Sequence, residues 1–381
     1  MKQIILGGKR ILTGEGALSC LAETDFERTL IVTGGGSMIR TGVIEEAKGY
    51  LTEKGGQVRV HSGIGADPTM QEVEKGLAVM REYKPDAVVA IGGGSAMDCA
   101  KIMLLFYEFP WLNFDNVLEK IAEGAVPEER KTALICVPST SGTGSEVTKG
   151  GVITDPQRQL KLPIMTECLR PDAAVLDVRL PMTMPAKLAA ETGMDALTHA
   201  LEAYINHNLD NFDEALCGAA AAGIMKWLPI SCLEGDRTAR EKVHHYQCMA
   251  GIGFANVGLG MVHGIAHAYG AAFHLSHGLA NAVILPYALD FNRKDERAAA
   301  KLDELSRRVG CEDLAEAVRQ MKRRLGIPEC FRQVLDEKSF LEKQEMVAEH
   351  AMLGATRVNP VKIEQDTMRK LVKTVYYGRK F

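Results

Sequence analysis

Four of the ten histidines, His263, His267, His274 and His277, fall within fifteen residues of one another. Upstream, Asp195 and His199 stand four apart in the helix-like stretch 191–204. Residues at i and i+4 project from one helix face, so a carboxylate and an imidazole at that spacing can reach a single ion. His263 and His267 share the spacing. One carboxylate with several imidazoles and no thiolate suits Fe²⁺ or Zn²⁺ and differs from the cysteine-based sets of structural zinc. His61, His207, His244, His245 and His350 have no neighbours that give them such a role.

A second group of residues points to phosphate. The run 86–91 passes at once into Gly92-Gly93-Gly94-Ser95-Ala96-Met97-Asp98, a strand entering a glycine loop and then a helix. Free backbone amides at a helix start, with glycines that admit a phosphate closely, make an anion site. Ser95 with Asp98 three residues on resembles a capping pair and predicts a helix start near Ser95. Thr33-Gly34-Gly35-Gly36-Ser37 follows another strand-like run, and Pro138-Ser139-Thr140-Ser141-Gly142-Thr143-Gly144-Ser145 follows a third. Three such loops at strand ends point to one nucleotide along one sheet edge. None completes G-x-G-x-x-G, because Ile39, Met97 and Val147 hold its last position, so the phosphate site is a variant of the common fingerprint.

The elements that must position these residues follow from the pattern. Up to about residue 180, β-branched runs at 29–33, 58–61, 86–91, 133–137 and 173–177 alternate with helical stretches such as 70–83, where Val73, Leu77, Met80 and Tyr83 share a face and Pro85 ends the element. That alternation predicts a parallel sheet covered on both faces. Beyond Pro181 and Pro185 the pattern turns to long helices, typified by 215–225 and 312–325. The expected architecture is an α/β nucleotide-binding domain with a Rossmann-like variant sheet over 1–184 and an all-α metal-binding domain over 185–381.

Composition bounds the function. A chain of 381 residues is about right for two domains and hides enough surface to need no structural metal, so a metal here should be chemical. Lys plus Arg total 45 against 49 Asp plus Glu, without a basic run, which argues against nucleic acid and anionic membrane as partners. The nearly uncharged stretch 248–262 falls short of the about 20 residues a membrane span needs. The first ten residues lack the apolar region of a signal peptide, and nine scattered cysteines without a C-x-x-C pair read as packing residues of a reduced cytoplasmic protein.

Taken together, GGGSAMDCAK at 92–101, PSTSGTGSEVT at 138–148, ETGMDALTHALEAY at 191–204, GMVHGIAHAYG at 260–270 and HGLANAVILP at 277–286 resemble the iron-containing (type III) alcohol dehydrogenases over nearly the whole chain. The resemblance implies an NAD(P)-dependent alcohol dehydrogenase or aldehyde reductase with a divalent metal facing the cleft between its domains. It implies Asp195, His199, His263 and His277 as metal ligands and His267 as a neighbouring proton carrier. Gly93, Gly94 and Ser95, with Asp98 in the same motif, match the pyrophosphate loop; Ser139, Thr140 and Thr143 match cofactor contacts; Lys161 matches a lysine near the ribose. Many relatives have Asn-Pro where this chain has Asp67-Pro68, and asparagine or a larger residue where it has Gly150; many also have an aspartate where it has Gly34, whereas this chain continues as Gly-Gly-Gly-Ser, as some NADP-preferring aldehyde-reducing members do. Gly34, Gly35, Gly36 and Ser37 therefore predict NADP over NAD, since an acidic residue there would repel a 2′-phosphate. Relatives usually form homodimers or larger assemblies.

Two other classes compete with this expectation. A lyase of the related dehydroquinate synthase type needs several basic residues to hold a phosphorylated substrate, and the helical segments around Asp195 and 263–277 contain no Lys or Arg. A non-catalytic nucleotide sensor would not need the metal set.

Overall fold

In the computed structural model, which describes residues 3–158 and 160–379, the chain divides into two compact units, Ile5–Met184 and Pro185–Phe381 with Met1–Ile4. The first unit is built on strands β1 (Arg10–Thr13), β2 (Arg28–Gly34), β3 (Gln57–Ile64), β4 (Ala87–Gly92), β5 (Ala133–Pro138), β6 (Gly150–Asp155), β7 (Leu160–Met165) and β8 (Ala173–Leu176). Six of them form one sheet in the order β1-β8-β5-β4-β2-β3, with every neighbouring pair parallel. Parallel neighbours require crossovers, which the Val43–Thr52, Met70–Tyr83 and Gly94–Glu108 helices supply.

Side chains alternate across the central strands, so each strand feeds two cores. Leu30, Val32, Val88, Ala90, Leu134 and Cys136 pack on one side, and Ile31, Val89, Ile91, Ile135 and Val137 on the other. The Met70–Tyr83 helix spans the residues its periodicity predicts, and a reciprocal cap fixes its start: the Thr69 hydroxyl accepts from the Glu72 N–H, and the Glu72 carboxylate accepts from the Thr69 N–H. Three strands were not predicted. β1 is a four-residue edge strand, and β6 with β7 forms a separate antiparallel hairpin. Neither carries a long β-branched run; pairing rather than local preference makes them strands.

Among the described residues the second unit contains nine α-helices and no strand. The Arg237–Val257 and Met261–Phe273 helices, which share the stretch 248–262, are apolar enough to cross a membrane only when taken together and are bent by 103° at their junction, whereas the Asn211–Leu233 helix is long and apolar enough by itself. The Asn211–Leu233 helix packs against the Ala186–Ile205 and Arg237–Val257 helices and buries Cys217, Ala220, Ala221 and Ile224.

Candidate functional site

The three glycine loops leave the C-terminal ends of β2, β4 and β5, which are adjacent in the sheet. The fold thus gathers Gly34, Gly92 and Pro138 on one edge, with Gly92 paired to Pro138. Glycine is a packing requirement in the second loop. A β-carbon on Gly94 would lie 2.6 Å from Thr143 Cγ2, and one on Gly93 3.3 Å from Thr140 Cγ2. The third loop therefore rests directly on the second, tied by the Ser139 N–H donating to the Gly92 carbonyl at 2.8 Å.

A buried cation locks this arrangement. Lys101 is fully buried, and its ammonium donates to the Ser145, Thr148 and Gly150 carbonyls at 2.6, 2.9 and 2.9 Å. Asp98 accepts from the Ser145 hydroxyl at 2.7 Å and the Val152 N–H at 2.9 Å. Burial pushes the Lys101 pKa down and the Asp98 pKa up, each offset in part by the other's charge. Lys101→Met is expected to cost about 3–5 kcal/mol, because it leaves three buried carbonyls and a nearby carboxylate without their cation. A thermal melt checks this, and an unchanged Tm would show that the loop holds without the lysine.

The capping pair predicted from Ser95 and Asp98 does not form. The helix begins at Gly94 after Gly93 with no side-chain cap. The Ser95 hydroxyl donates instead to the Ala66 carbonyl, and both Asp98 oxygens are engaged by the third loop and β6. Lys161, on β7, is mostly buried and ion-paired to Asp67 at 2.6 Å. In the first loop, Gly36 has φ 114°, a left-handed conformation that favours glycine, and Arg40 folds back so that its Nη1 lies 3.3 Å from where a Gly36 β-carbon would be.

In the second unit, Asp195 and His199 share one face of the Ala186–Ile205 helix, His263 lies in Met261–Phe273, and His277 opens His277–Asn292. One donor atom from each of these four residues lies within 4.8 Å of the others. The Nε2 atoms of His277, His263 and His199 stand 3.5, 3.7 and 3.9 Å from Asp195 Oδ1. Close helix contact makes this possible: a β-carbon on Gly278 would sit 2.4 Å from the Glu191 carbonyl oxygen. The first turn of the His277–Asn292 helix therefore lies on the backbone of Ala186–Ile205, beside Asp195.

The electrostatics suit a cation. Burial alone would raise the Asp195 carboxyl, but His199, His277 and His263 outweigh it and hold it well below the usual carboxylate range. Burial would lower His263, yet the Asp195 and Glu202 carboxylates raise it to about 9. A set of one carboxylate and three imidazoles, buried except for the partly exposed His277, that favours positive charge this strongly fits a divalent ion.

Two family models account for nearly the whole chain: "Iron-containing alcohol dehydrogenase" over residues 8–178, and "Fe-containing alcohol dehydrogenase family, C-terminal" over residues 189–376. The chain belongs to the iron-containing alcohol dehydrogenase family. It is 40% identical over 378 residues to the NADPH-dependent butanol dehydrogenase of Clostridium saccharobutylicum, covering 97% of this chain and 96% of that one. An alcohol dehydrogenase of Thermococcus barophilus is 34% identical over 375 residues, covering 97% and 98%. Among solved structures, an iron-containing alcohol dehydrogenase from Thermococcus thioreducens matches all of both chains with a TM-score of 0.92 and 37% identity. As a member of this family the protein is an oxidoreductase, and these matches do not favour the lyase alternative.

Within this family member, the four clustered histidines have different surroundings. His267 follows His263 by one turn; its ring centroid lies 6.1 Å from that of His263 and 5.1 Å from that of His277, stacked at 22°. His274 is exposed and ends its helix with φ 56°. His199, on the other helix, is stacked between Phe254 and His263 at 4.4 and 4.6 Å.

Glu202 and Asn281 were absent from the sequence expectation. Glu202 is buried and accepts from His263 Nδ1 and from the Val262 N–H, both at 2.6 Å. A proton on Nδ1 turns the Nε2 lone pair toward the other donors. The available signal was spacing: Glu202 lies seven residues after Asp195 and three after His199, on the same helix face, and Asn281 lies four after His277.

Proposed function

We propose that this protein interconverts a small alcohol and its aldehyde using NADP(H) and a divalent metal held by Asp195, His199, His263 and His277. The convergence of those four donor atoms within 4.8 Å carries the reading. Bound there, Fe²⁺ or Zn²⁺ supplies Lewis-acid polarisation of the substrate oxygen. Glu202 keeps the His263 ring in register, and His267, stacked on His277, moves the alcohol proton toward water, a task suited to the near-neutral ionisation of imidazole. Incubating the purified protein with a primary alcohol and NADP, or an aldehyde and NADPH, should change the nicotinamide absorbance. No change across a panel of short alcohols, diols and aldehydes, with protein carrying one equivalent of metal, would reject the reading.

The cofactor falls to the sheet-edge loops. Gly93, Gly94 and Ser95 receive the pyrophosphate, with Ser139, Thr140 and Thr143 alongside, while Asp98 acts from behind by holding Ser145 and Val152. Lys161 reaches the ribose as half of an ion pair with Asp67, so its charge is partly neutralised. The reduced thiols implied by six buried cysteines among nine support a cytoplasmic location. The protein acts as a homodimer or larger assembly, which sedimentation velocity tests.

NADP is the preferred form, because the Gly34 to Ser37 loop offers amides, a hydroxyl and the nearby Arg40 guanidinium to a 2′-phosphate and presents no carboxylate. The NADPH-dependent relative at 40% identity supports this choice. Gly34→Asp tests it cleanly: Gly34 closes a strand, and a β-carbon there meets only Ile64 O at 3.5 Å, an ordinary contact. The substitution should lower kcat/KM for NADP far more than for NAD, since a like charge near the 2′ position penalises only the phosphorylated cofactor. Equal losses with both cofactors would show that the loop does not read that position.

A further inference from the structure

We propose that Asn281 is a positioning residue of the metal centre, its amide holding the donor atoms of Asp195, His263 and His277 on one point. This inference rests on the metal-centre reading above. Asn281 is completely buried, one helical turn after His277 on the same helix. Its Nδ2 lies 2.6 Å from Asp195 Oδ1, 3.2 Å from His263 Nε2 and 3.1 Å from His277 Nε2. Three of the four metal-facing donors thus converge on a single amide nitrogen.

The other end of the same side chain makes the case. Asn281 Oδ1 is buried and has no hydrogen-bond partner. A buried amide oxygen with nothing to accept from is costly, so the orientation is not set by what the oxygen gains. Turned the other way, the amide would press its oxygen against the Asp195 carboxylate. The converging lone pairs therefore dictate which way the amide faces, and the amide in turn ties three helices' worth of ligands together. In the neutral His263 ring, the form that binds a metal, Nδ1 carries the proton given to Glu202 and Nε2 is left to accept. An NH₂ has two hydrogens for three acceptors, so it holds the set together without satisfying it, and a cation would satisfy all three. A space-filling role would not need the nitrogen, since leucine has nearly the same shape.

The test uses Co²⁺ as the probe, with binding followed by calorimetry and by the visible absorption of the bound ion, in wild type, Asn281→Leu, Asn281→Ser and a His277→Ala control. Asn281→Leu should weaken Co²⁺ binding by about 10–100-fold, the usual effect of removing a group that orients metal ligands, and should alter the visible spectrum. Asn281→Ser keeps one short donor and should lose less. If Asn281→Leu fails to fold, Asn281→Ser carries the test on its own, and wild-type affinity and spectrum in that variant overturn the inference. Wild-type affinity and spectrum in a folded Asn281→Leu protein also overturn it. If wild type binds no Co²⁺, or His277→Ala binds it like wild type, the metal-centre reading itself fails and this inference falls with it.

Discussion

His277→Ala is expected to lose its bound divalent ion and nearly all turnover while melting within about 1 kcal/mol of wild type. Structure makes this the most informative of the ligand substitutions. The His277 side chain is 28% exposed, so its removal leaves little buried space unfilled. His263 is fully buried and bonded to Glu202; His263→Ala would strand that carboxylate and mix a folding defect with metal loss. A Lewis acid contributes several kcal/mol to the reaction, so its loss corresponds to a fall of about 10³-fold or more in kcat/KM. Metal analysis, circular dichroism and steady-state kinetics on one preparation check all three parts. A His277→Ala protein that keeps one equivalent of metal would remove His277 from the ligand set.

His267→Ala is expected to keep its metal and lose turnover, by ~10²–10⁴-fold if the imidazole is an obligatory proton carrier. His267 lies outside the four-donor group yet stacks on the His277 ring at 5.1 Å, near enough to the centre to serve it without binding the ion. The pH profile separates this role from packing. Loss of a proton carrier removes or moves a limb of the kcat profile, whereas loss of a stacking partner lowers metal affinity and leaves the profile's shape intact. Full activity with an unchanged profile would make His267 a packed histidine and nothing more.

The sheet and the loops were legible where local chemistry and tertiary demand agree. The central strands carry continuous β-branched runs because both their faces are buried, and glycines follow them because the chain must turn and pack at those points. The Met70–Tyr83 helix was readable to its ends because its cap, periodicity and terminator are all local. β1 and the β6–β7 hairpin were not, since their strand character comes from partners far along the chain: Arg10 pairs with Ala173. The Ser95–Asp98 pattern misled for the same reason in reverse. It has the spacing of a cap, but each side chain has a better partner elsewhere, in Ala66, Ser145 and Val152.

By itself the sequence determined that a carboxylate and an imidazole share one helix face at 195 and 199, that further imidazoles recur at 263, 267 and 277, and that three glycine loops end strands. Spacing along a helix is a property of 3.6 residues per turn and needs no tertiary information. Tertiary structure alone decided which histidines meet. His263 and His277 reach Asp195 because Gly278 lets one helix lie on another's backbone, while His274, equally placed in the sequence, is turned out at a helix end. The same packing brings in Glu202, 61 residues from His263, and Asn281, 86 from Asp195. Spacing puts each on the helix face of a ligand residue, but their bonds to His263 and Asp195 were not readable from the chain, because hydrogen bonds between buried side chains record which surfaces touch, and periodicity shows only which surfaces are apolar.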